Sequence, residues 1–224
     1  MIDTRSLVDR VYDYLLKQII NGDIKYGETI NIKKIAERLQ VSTMPVREAL
    51  KRLEFERIVE IKPRSSCCVL KPSKKMIREV CELREVIELY AATKGRGRKD
   101  PARLKQLHGI VEEMRILQRE QDIEVRGKKA ITLDRAFHAE LCGLAENDFM
   151  NDVNTQLSLH VNMTLIHEQT YRLLENQWAE SHALIVRALE HEPERVAEVL
   201  VHHFDNVLEL LPGFDVATQA VKEA

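Results

Sequence analysis

The sequence predicts a mainly α-helical protein: an N-terminal winged helix-turn-helix followed by an all-helical antiparallel bundle of six or seven helices. Three helical patterns and two short strand-like runs predict the first part. After residue 75 every apolar pattern has helical spacing, which predicts the second part. We therefore expect one domain over residues 1–71, a linker over 72–75, a second domain over 76–213 and a loose tail over 214–224.

Three helices are expected in the first domain. An apolar stripe at helical spacing predicts the first over residues 5–21, and Gly22 ends it in the position of a C-cap. The second covers residues 31–39 and the third residues 43–56, with a short turn at 40–41 between them. Two helices joined by so short a turn are typical of a helix-turn-helix.

The helix over residues 43–56 has the features of a recognition helix. Ser42 is a favourable N-cap, and Pro45 falls in the first turn, where its missing N–H costs no hydrogen bond. Apolar side chains at three- and four-residue spacing predict one buried face: Val46, Leu50 and Leu53. Basic side chains lie on the other faces, where they can meet phosphates or bases: Arg47, Lys51 and Arg52.

A β-hairpin is expected directly after this helix. Residues 58–62 are β-branched and alternating, and residues 67–70 form a second short apolar run. Residues 63–66 join the two runs as a turn that contains a proline and two serines. Three helices followed by a hairpin make a winged helix-turn-helix.

The second domain is expected to be helical throughout. Ser73 caps a long helix over residues 73–94, which a Gly- and Lys/Arg-rich segment ends, and Asp100 and Pro101 begin the next helix. Four more helices are expected over residues 127–145, 148–168, 173–191 and 193–211. The spacing predicts that one face of the long helix consists of Met76, Val80, Leu83, Ile87 and Tyr90.

Charge and composition limit the functions that the chain can have. Residues 1–75 carry 16 Lys and Arg against 10 Asp and Glu, whereas the rest carries 18 against 26. A basic part joined to an acidic part suggests that the first domain meets a polyanion. No apolar run approaches the length of a membrane span, and the N-terminus has no apolar signal core. The four cysteines show neither metal-ligand nor disulfide spacing. We therefore expect a cytoplasmic protein without a membrane partner.

A metal site is predicted in the helical domain. Asp134 and His138 are four residues apart, so they lie on one helix face a turn apart and can bind the same divalent ion. His182 and His203 lie on two later helices and can complete the site. Imidazole and carboxylate together suit zinc, nickel, manganese or iron. His202, which points about 100° away from its neighbour on a helix, is the alternative last ligand.

Both halves of the chain resemble one known family. The segment Pro45-Val46-Arg47-Glu48-Ala49-Leu50-Lys51-Arg52-Leu53-Glu54, after a helix that ends in Ala36-Glu37-Arg38-Leu39, resembles the GntR family of bacterial transcription regulators. The helical half is similar to the FCD domain of the FadR subfamily. Its matching motifs are Glu82-Leu83-Arg84 with Ile87-Glu88 and Ala91-Ala92, Asp134 with Phe137-His138, and Ser181-His182 with Ile185 and Ala188-Leu189.

The resemblance implies a homodimer on a near-palindromic DNA operator. The positions that correspond to DNA contacts in the family are Lys33, Ser42, Thr43, Met44, Arg47, Arg64 and Ser66. This chain departs from the family at three of them, since the family usually has arginine at Thr43, threonine at Met44 and glycine at Ser66. Because arginine is the residue that most often reads guanine, the operator is expected to differ from the common family site.

The resemblance also implies an effector site and a metal held by one aspartate and three histidines, the four residues named above. Arg84 is then a candidate for binding an effector carboxylate, because arginine suits bidentate recognition. An intrahelical pair between Arg84 and Glu88 is the equal alternative. By helical phase, Asn162 and His167 can line the same cavity.

Three functional hypotheses follow. The leading one is a metabolite-responsive regulator, a repressor that is not an enzyme and whose operator affinity depends on a bound carboxylate and a divalent metal. The alternative is an all-helical metal-dependent hydrolase with an appended winged-helix interaction domain, since an open metal site can activate water. No nucleophile or general-base motif supports that alternative. In the third hypothesis the metal itself is the signal.

Overall fold

The fold class that the sequence predicts is confirmed. The computed structural model describes residues 6–62, 66–95, 100–167 and 177–209, and the chain divides into two compact units, Met1–Pro72 and Ser73–Ala224. The first unit is a winged helix-turn-helix and the second consists of helices. Among the described helices, none combines the length and the apolar character that a membrane span requires. The expected tail over residues 214–224 lies outside the described residues.

The helices of the first unit are α1, α2 and α3, which cover Leu7–Ile20, Ile32–Leu39 and Thr43–Phe55. Ser6 and Asp9 form a reciprocal capping box at the start of α1, and the Asn31 side chain caps α2. Gln40 ends α2 in the left-handed region, with φ of 54°. The predicted buried face of α3 is confirmed, because Val46, Leu50 and Leu53 are all buried.

The wing of the first unit is a three-stranded antiparallel sheet. Its strands are β1 (Thr29–Ile30), β2 (Val59–Lys62) and β3 (Ser66–Val69), in the order β1-β3-β2. The predicted hairpin is β2 and β3, in which Ile61 lies opposite Cys67. The sequence did not predict β1, which pairs with the other edge of β3, where Ile30 lies opposite Cys67. A two-residue strand exists only through its pairing with a strand almost forty residues later, so no local pattern marks it.

Six helices form the described part of the second unit: α4 (Lys74–Gly95), α5 (Pro101–Leu117), α6 (Ile123–Gly143), α7 (Asp148–His167), α8 (Gln177–His191) and α9 (Val196–Glu209). The helix α4 packs against α6, α7 and α9, whereas α5 packs against α6 and α8. The pair α8 and α9 is joined by a short 3₁₀ turn over Pro193–Arg195. This arrangement brings side chains of α4, α6, α8 and α9 to the interior of the unit.

Several helix boundaries differ from the prediction. Residues 74 and 75, expected in the linker, belong to α4, and Ser73 caps that helix by accepting a 3.1 Å hydrogen bond from the Met76 N–H. The helix α6 begins at Ile123, four residues before the predicted start, because the carboxylate of Asp122 caps it. The predicted start of α8 at residue 173 lies outside the described residues.

The predicted face of α4 is confirmed at Val80 but is wrong at Leu83 and Tyr90. Leu83 and Tyr90 are exposed, by 47% and 52%. The buried face instead consists of Ile77, Val80, Cys81, Arg84, Glu88, Ala91, Ala92 and Gly95. Because that face includes a charged pair, apolar periodicity alone selects the wrong side of the helix.

Candidate functional site

Three buried histidines meet in the interior of the second unit. His138 comes from α6, His182 from α8 and His203 from α9, and they are 1%, 0% and 3% exposed. One ring nitrogen of each lies within 4.8 Å of those of the other two. The ring centroids of His182 and His203 are 4.7 Å apart, and that of His138 is 5.5 Å and 5.2 Å from them. Three helices therefore converge on one group of imidazoles.

Asp134 completes this group from one turn before His138 on α6. Its Oδ1 lies 3.3 Å from Nε2 of His182 and 3.7 Å from Nε2 of His138. The four residues that the sequence predicts as metal ligands thus lie together, although they come from three separate helices. A carboxylate and three imidazoles are a donor set that suits divalent transition metals.

Nδ1 of each imidazole contacts a partner outside the group of four side chains. The contacts are His138 Nδ1 to Glu88 Oε2 at 2.7 Å, His182 Nδ1 to the Trp178 carbonyl at 2.8 Å, and His203 Nδ1 to Ser181 Oγ at 3.3 Å. A carbonyl oxygen accepts only, so His182 donates from Nδ1 and keeps a lone pair on Nε2. Nε2 of His182 and of His203 are buried and have no hydrogen-bond partner among the described residues.

Two members of the group have pKa values that are shifted from their ordinary values. Burial raises the pKa of Asp134, but the neighbouring His138 and His182 outweigh it and hold the pKa of that carboxyl well below its ordinary value. Burial, together with the nearby His182 and His138, lowers the pKa of His203 well below its ordinary value. An ionised carboxylate beside a neutral imidazole is the protonation state in which both bind a metal.

The structure distinguishes the two adjacent histidines on α9. His203 is in the buried group, whereas His202 is exposed. Both line a cavity of about 180 Å³ between α8 and α9. The arrangement favours His203, and not His202, as the fourth member of the group.

Arg84 and Glu88 form a buried pair on α4. Nη2 of Arg84 lies 3.0 Å from Glu88 Oε1, and the two side chains are 2% and 0% exposed. The amide of Asn154 donates to the same oxygen at 3.2 Å, and the Arg84 guanidinium lies 5.2 Å from the Phe204 ring centre. The intrahelical pair, which the sequence left open beside an effector role for Arg84, is therefore present.

Glu88 is a functional candidate that the sequence reasoning did not single out. The sequence named it as part of an FCD-like motif and as a possible partner of Arg84, without a role at the metal site, whereas the structure shows that it contacts the histidine group through His138. The one available signal was that Arg84 and Glu88 share a helix face with Ala91 and Cys81, which is an uncommon place for two charges.

Asn162 and His167, which the sequence suggests as cavity-lining residues, lie on α7. Asn162 is fully buried, and neither its amide oxygen nor its amide nitrogen has a hydrogen-bond partner within the described part of the chain. Buried amides are normally paired, so an unsatisfied one marks a place where a bound polar group fits. His167, at the end of α7, is partly buried.

The start of α3 presents exposed side chains in the first unit. Ser42, Thr43, Met44 and Arg47 are all exposed, Met44 by 65%. Ser42 occupies the N-cap position as predicted, but its side chain makes no capping hydrogen bond. Lys33 is also exposed, in the first turn of α2.

Two predicted wing positions are less fully described. Arg64 lies outside the described residues, and Ser66 is the first residue of β3, with its side chain outside the description. The DNA-facing candidates with known exposure are thus those on α2 and α3.

Comparison with known protein families tests the regulator hypothesis against the enzyme hypothesis. Residues 7–69 match the family described as bacterial regulatory proteins, gntR family, and residues 79–206 match the FCD domain. The chain belongs to the GntR family and carries an FCD domain. The resemblance seen in the sequence is therefore confirmed over both halves.

This GntR protein is similar to several regulators along most of their length. It is 26% identical over 226 residues to the HTH-type transcriptional regulator LutR of Bacillus subtilis, covering 88% of this chain and 97% of LutR. It is 27% identical over 226 residues to a Paenarthrobacter nicotinovorans protein named Probable D-xylose utilization operon transcriptional repressor, covering 97% and 96%. The structure of Escherichia coli McbR/YncC has the same fold, with a TM-score of 0.72, 23% identity, and coverage of 92% and 95%.

The GntR and FCD assignments make the protein a transcriptional regulator with a DNA-binding domain and an effector-binding domain. The relatives are regulators and not enzymes, which rules against the hydrolase alternative. The open question is therefore what the buried histidine group binds, and how.

Proposed function

We propose that the protein is a metabolite-responsive repressor of the cytoplasm, which binds a near-palindromic operator as a homodimer. A divalent metal and a small carboxylate effector bind inside its FCD domain. The observation that carries this proposal is the convergence of Asp134, His138, His182 and His203 in the interior of that domain.

The donor atoms fit a metal. Nε2 of His182 and Nε2 of His203 are buried and have no hydrogen-bond partner among the described residues, and a coordinated ion satisfies such atoms. Asp134 and the three histidines would hold zinc, nickel, manganese or iron. Four protein ligands leave coordination positions open on ions that take five or six, and the bound metal supplies a Lewis acid for an effector carboxylate.

The effector would meet polar groups that the fold leaves unsatisfied. Asn162 can donate and accept from its buried amide, and Nε of Arg84 has no partner in the described structure. Nη2 of Arg84 already donates to Glu88, so part of this guanidinium is committed to the intrahelical pair. Asn162 is therefore the stronger of the two effector candidates.

DNA binding would rest on the exposed start of α3 with support from α2. Thr43, Met44 and Arg47 would face base edges in the major groove, whereas Lys33 and Ser42 would contact phosphates. Arg64 and Ser66 would extend the contact from the wing. Met44, with 65% of its surface exposed, can contact a thymine methyl group.

The DNA-binding part is tested by selecting an operator from a random duplex library and measuring affinity by fluorescence anisotropy. Arg47→Ala is expected to weaken specific binding by about 1–3 kcal/mol, while far-UV circular dichroism shows an intact fold. Lys105→Ala removes another exposed positive charge, on α5, and serves as the control. Unchanged operator affinity in Arg47→Ala would contradict the proposed interface.

The ligand part is tested on protein purified without an affinity tag or chelator. Elemental analysis is expected to find about one divalent metal per chain, and a screen of small carboxylates by operator release identifies the effector. Light scattering of the DNA-free protein is expected to give the mass of a dimer. Absence of stoichiometric metal, with Asp134→Ala and His182→Ala responding normally to the effector, would contradict the metal site.

A further inference from the structure

Two carboxylates contact opposite sides of one imidazole ring. Glu88, on α4, is fully buried, and its Oε2 lies 2.7 Å from Nδ1 of His138. Asp134 lies on the other side, with Oδ1 3.7 Å from Nε2 of the same ring. Only Asp134 lies near Nε2, the nitrogen of His138 that can still bind a metal. Glu88 contacts the other ring nitrogen, Nδ1.

The second oxygen of Glu88 is already saturated by donors. Oε1 accepts from Nη2 of Arg84 at 3.0 Å and from the Asn154 amide at 3.2 Å. Because Glu88 forms a buried salt bridge with the Arg84 guanidinium, it is an ionised carboxylate and has no proton to donate. The proton of the 2.7 Å contact must belong to Nδ1 of His138.

We propose that Glu88 is the positioning residue of His138: it fixes the Nδ1–H tautomer and so directs the Nε2 lone pair towards a divalent metal. This inference rests on the proposed metal site and adds a residue that is not itself a ligand. A carboxylate behind a metal-binding histidine also orients the ring and makes it a stronger donor. The buried charged pair of α4, Arg84 and Glu88, thereby has a role in the metal centre.

Glutamine cannot replace Glu88 in this arrangement. If the glutamine amide nitrogen faces His138, it donates to Nδ1, so the proton moves to Nε2 and the lone pair there is lost. If the nitrogen faces the other way, it meets the donors of Arg84 and Asn154. In this second orientation the glutamine oxygen still accepts from Nδ1 of His138, but the negative charge that makes the ring a stronger donor is lost. Glu88→Gln therefore weakens the arrangement in either orientation and is a nearly isosteric test.

The test measures the affinity of the full-length protein for Zn²⁺ alone, after removal of metal, by competition with a chromophoric chelator. Glu88→Gln is expected to weaken Zn²⁺ binding by about 10- to 100-fold. Glu82→Gln, which removes a carboxylate from the exposed side of the same helix, is expected to bind as the wild type does. Wild-type affinity in Glu88→Gln overturns the inference and leaves the metal site intact. Failure of the wild type to bind Zn²⁺ instead refutes the metal site.

A double-mutant cycle separates positioning from general structural support. If Glu88 acts through His138, Glu88→Gln is expected to cause no further loss of affinity in a His138→Ala background. The same fold loss in both backgrounds would overturn the inference. The absorption spectrum of the Co²⁺-loaded protein gives a second measurement, since a changed ligand geometry shifts its d–d bands, and an unshifted spectrum in Glu88→Gln counts against the proposal.

A second variant covers the case in which Glu88→Gln does not fold. Arg84→Met combined with Glu88→Leu removes both buried charges at once and leaves no uncompensated ion. His138 then lacks its acceptor, so the same 10- to 100-fold loss of Zn²⁺ affinity is expected. Wild-type affinity in this folded variant overturns the proposal.

Discussion

Asp134 Oδ1 lies 3.3 Å from Nε2 of His182, which brings a carboxylate of α6 to an imidazole of α8 inside the second unit. The Nε2 atom faces this oxygen without a hydrogen bond that meets normal geometry. A metal ion placed among the four side chains would bind both atoms and join α6, α8 and α9. Metal loading is therefore expected to stabilise the helical unit.

The first prediction concerns that stabilisation. Adding Zn²⁺ to the metal-free protein is expected to raise its thermal midpoint, because a ligand at about 100 times its dissociation constant adds about 2.7 kcal/mol to the native state. Differential scanning fluorimetry measures the shift. Asp134→Ala is expected to lose most of it, whereas Asp152→Ala, which changes an exposed aspartate on α7, is expected to keep it. An equal shift in both variants would exclude Asp134 from the site.

The second prediction concerns the buried pair on α4. Arg84→Ala leaves the Glu88 carboxylate buried without its counter-charge, which is expected to reduce the free energy of unfolding by about 3–5 kcal/mol. Urea denaturation measures the loss. Arg84→Met with Glu88→Leu is expected to recover most of it, because both charges are removed together.

The control for this comparison is Lys75→Ala on the same helix. Lys75 is largely exposed and pairs with Glu79, so its removal is expected to change the free energy of unfolding by no more than about 0.5 kcal/mol. If Arg84→Ala is as harmless as Lys75→Ala, the buried pair does not stabilise the fold.

Local signals explain why most helices could be predicted. Asp100 and Pro101 mark the start of α5 by a side-chain cap and a pre-set backbone angle, and both are local properties of the chain. The spacing of Asp134 and His138 is local too, so their shared face followed from sequence. Which distant histidines join them depends on helix packing, and for His182 and His203 only the family resemblance supplied the answer.

The features of α4 that the sequence did not predict also have physical reasons. Apolar spacing placed Leu83 and Tyr90 in the core of α4, but the buried face carries Arg84 and Glu88, which satisfy each other and His138. No hydrophobic pattern can show that a charged residue is buried, because its burial depends on partners from other helices. The functional role of Glu88 was hidden for the same reason.

The third prediction compares two helical glycines. A Cβ on Gly95, the last residue of α4, would lie 2.8 Å from Cβ of the buried Leu144. Gly95→Ala is therefore expected to destabilise the protein by about 1–3 kcal/mol through overpacking, less a few tenths gained in helix propensity. Gly109, within α5, has no atom within 4 Å of its Cβ position among the described residues. Gly109→Ala is expected to stabilise by about 1 kcal/mol, since alanine favours helix.

Thermal or urea unfolding of both variants measures the expected loss of stability in Gly95→Ala and the expected gain in Gly109→Ala.

The comparison of the two variants also addresses how α4 ends. The sequence placed Gly95 in a helix-breaking segment, whereas in the structure it is the last residue of the helix and its Cβ position lies against Leu144. If Gly95→Ala proves as stabilising as Gly109→Ala, the close contact does not limit that position.

The fourth prediction concerns the four free cysteines, which differ sharply in accessibility. Burial raises the pKa of Cys67 and that of Cys81 to about 12 each, and it also raises the pKa of the Cys142 thiol. Cys68 follows Cys67 on β3, and successive strand side chains point to opposite faces, so Cys68 is partly exposed.

A disulfide reagent such as DTNB reacts with thiolates, and a pKa of about 12 leaves a thiolate fraction of about 10⁻⁴ at pH 8. In the native protein only Cys68 is therefore expected to react rapidly, and in urea all four thiols are. Cys68→Ser is expected to abolish the fast phase, whereas Cys81→Ala is expected to leave it unchanged. Fast labelling that persists in Cys68→Ser would mean that one of the three buried thiols opens to solvent, and mass spectrometry of the labelled peptides would identify which. Opening at Cys81, one turn from Arg84, would reveal local unfolding of the helix that supports His138 through Glu88.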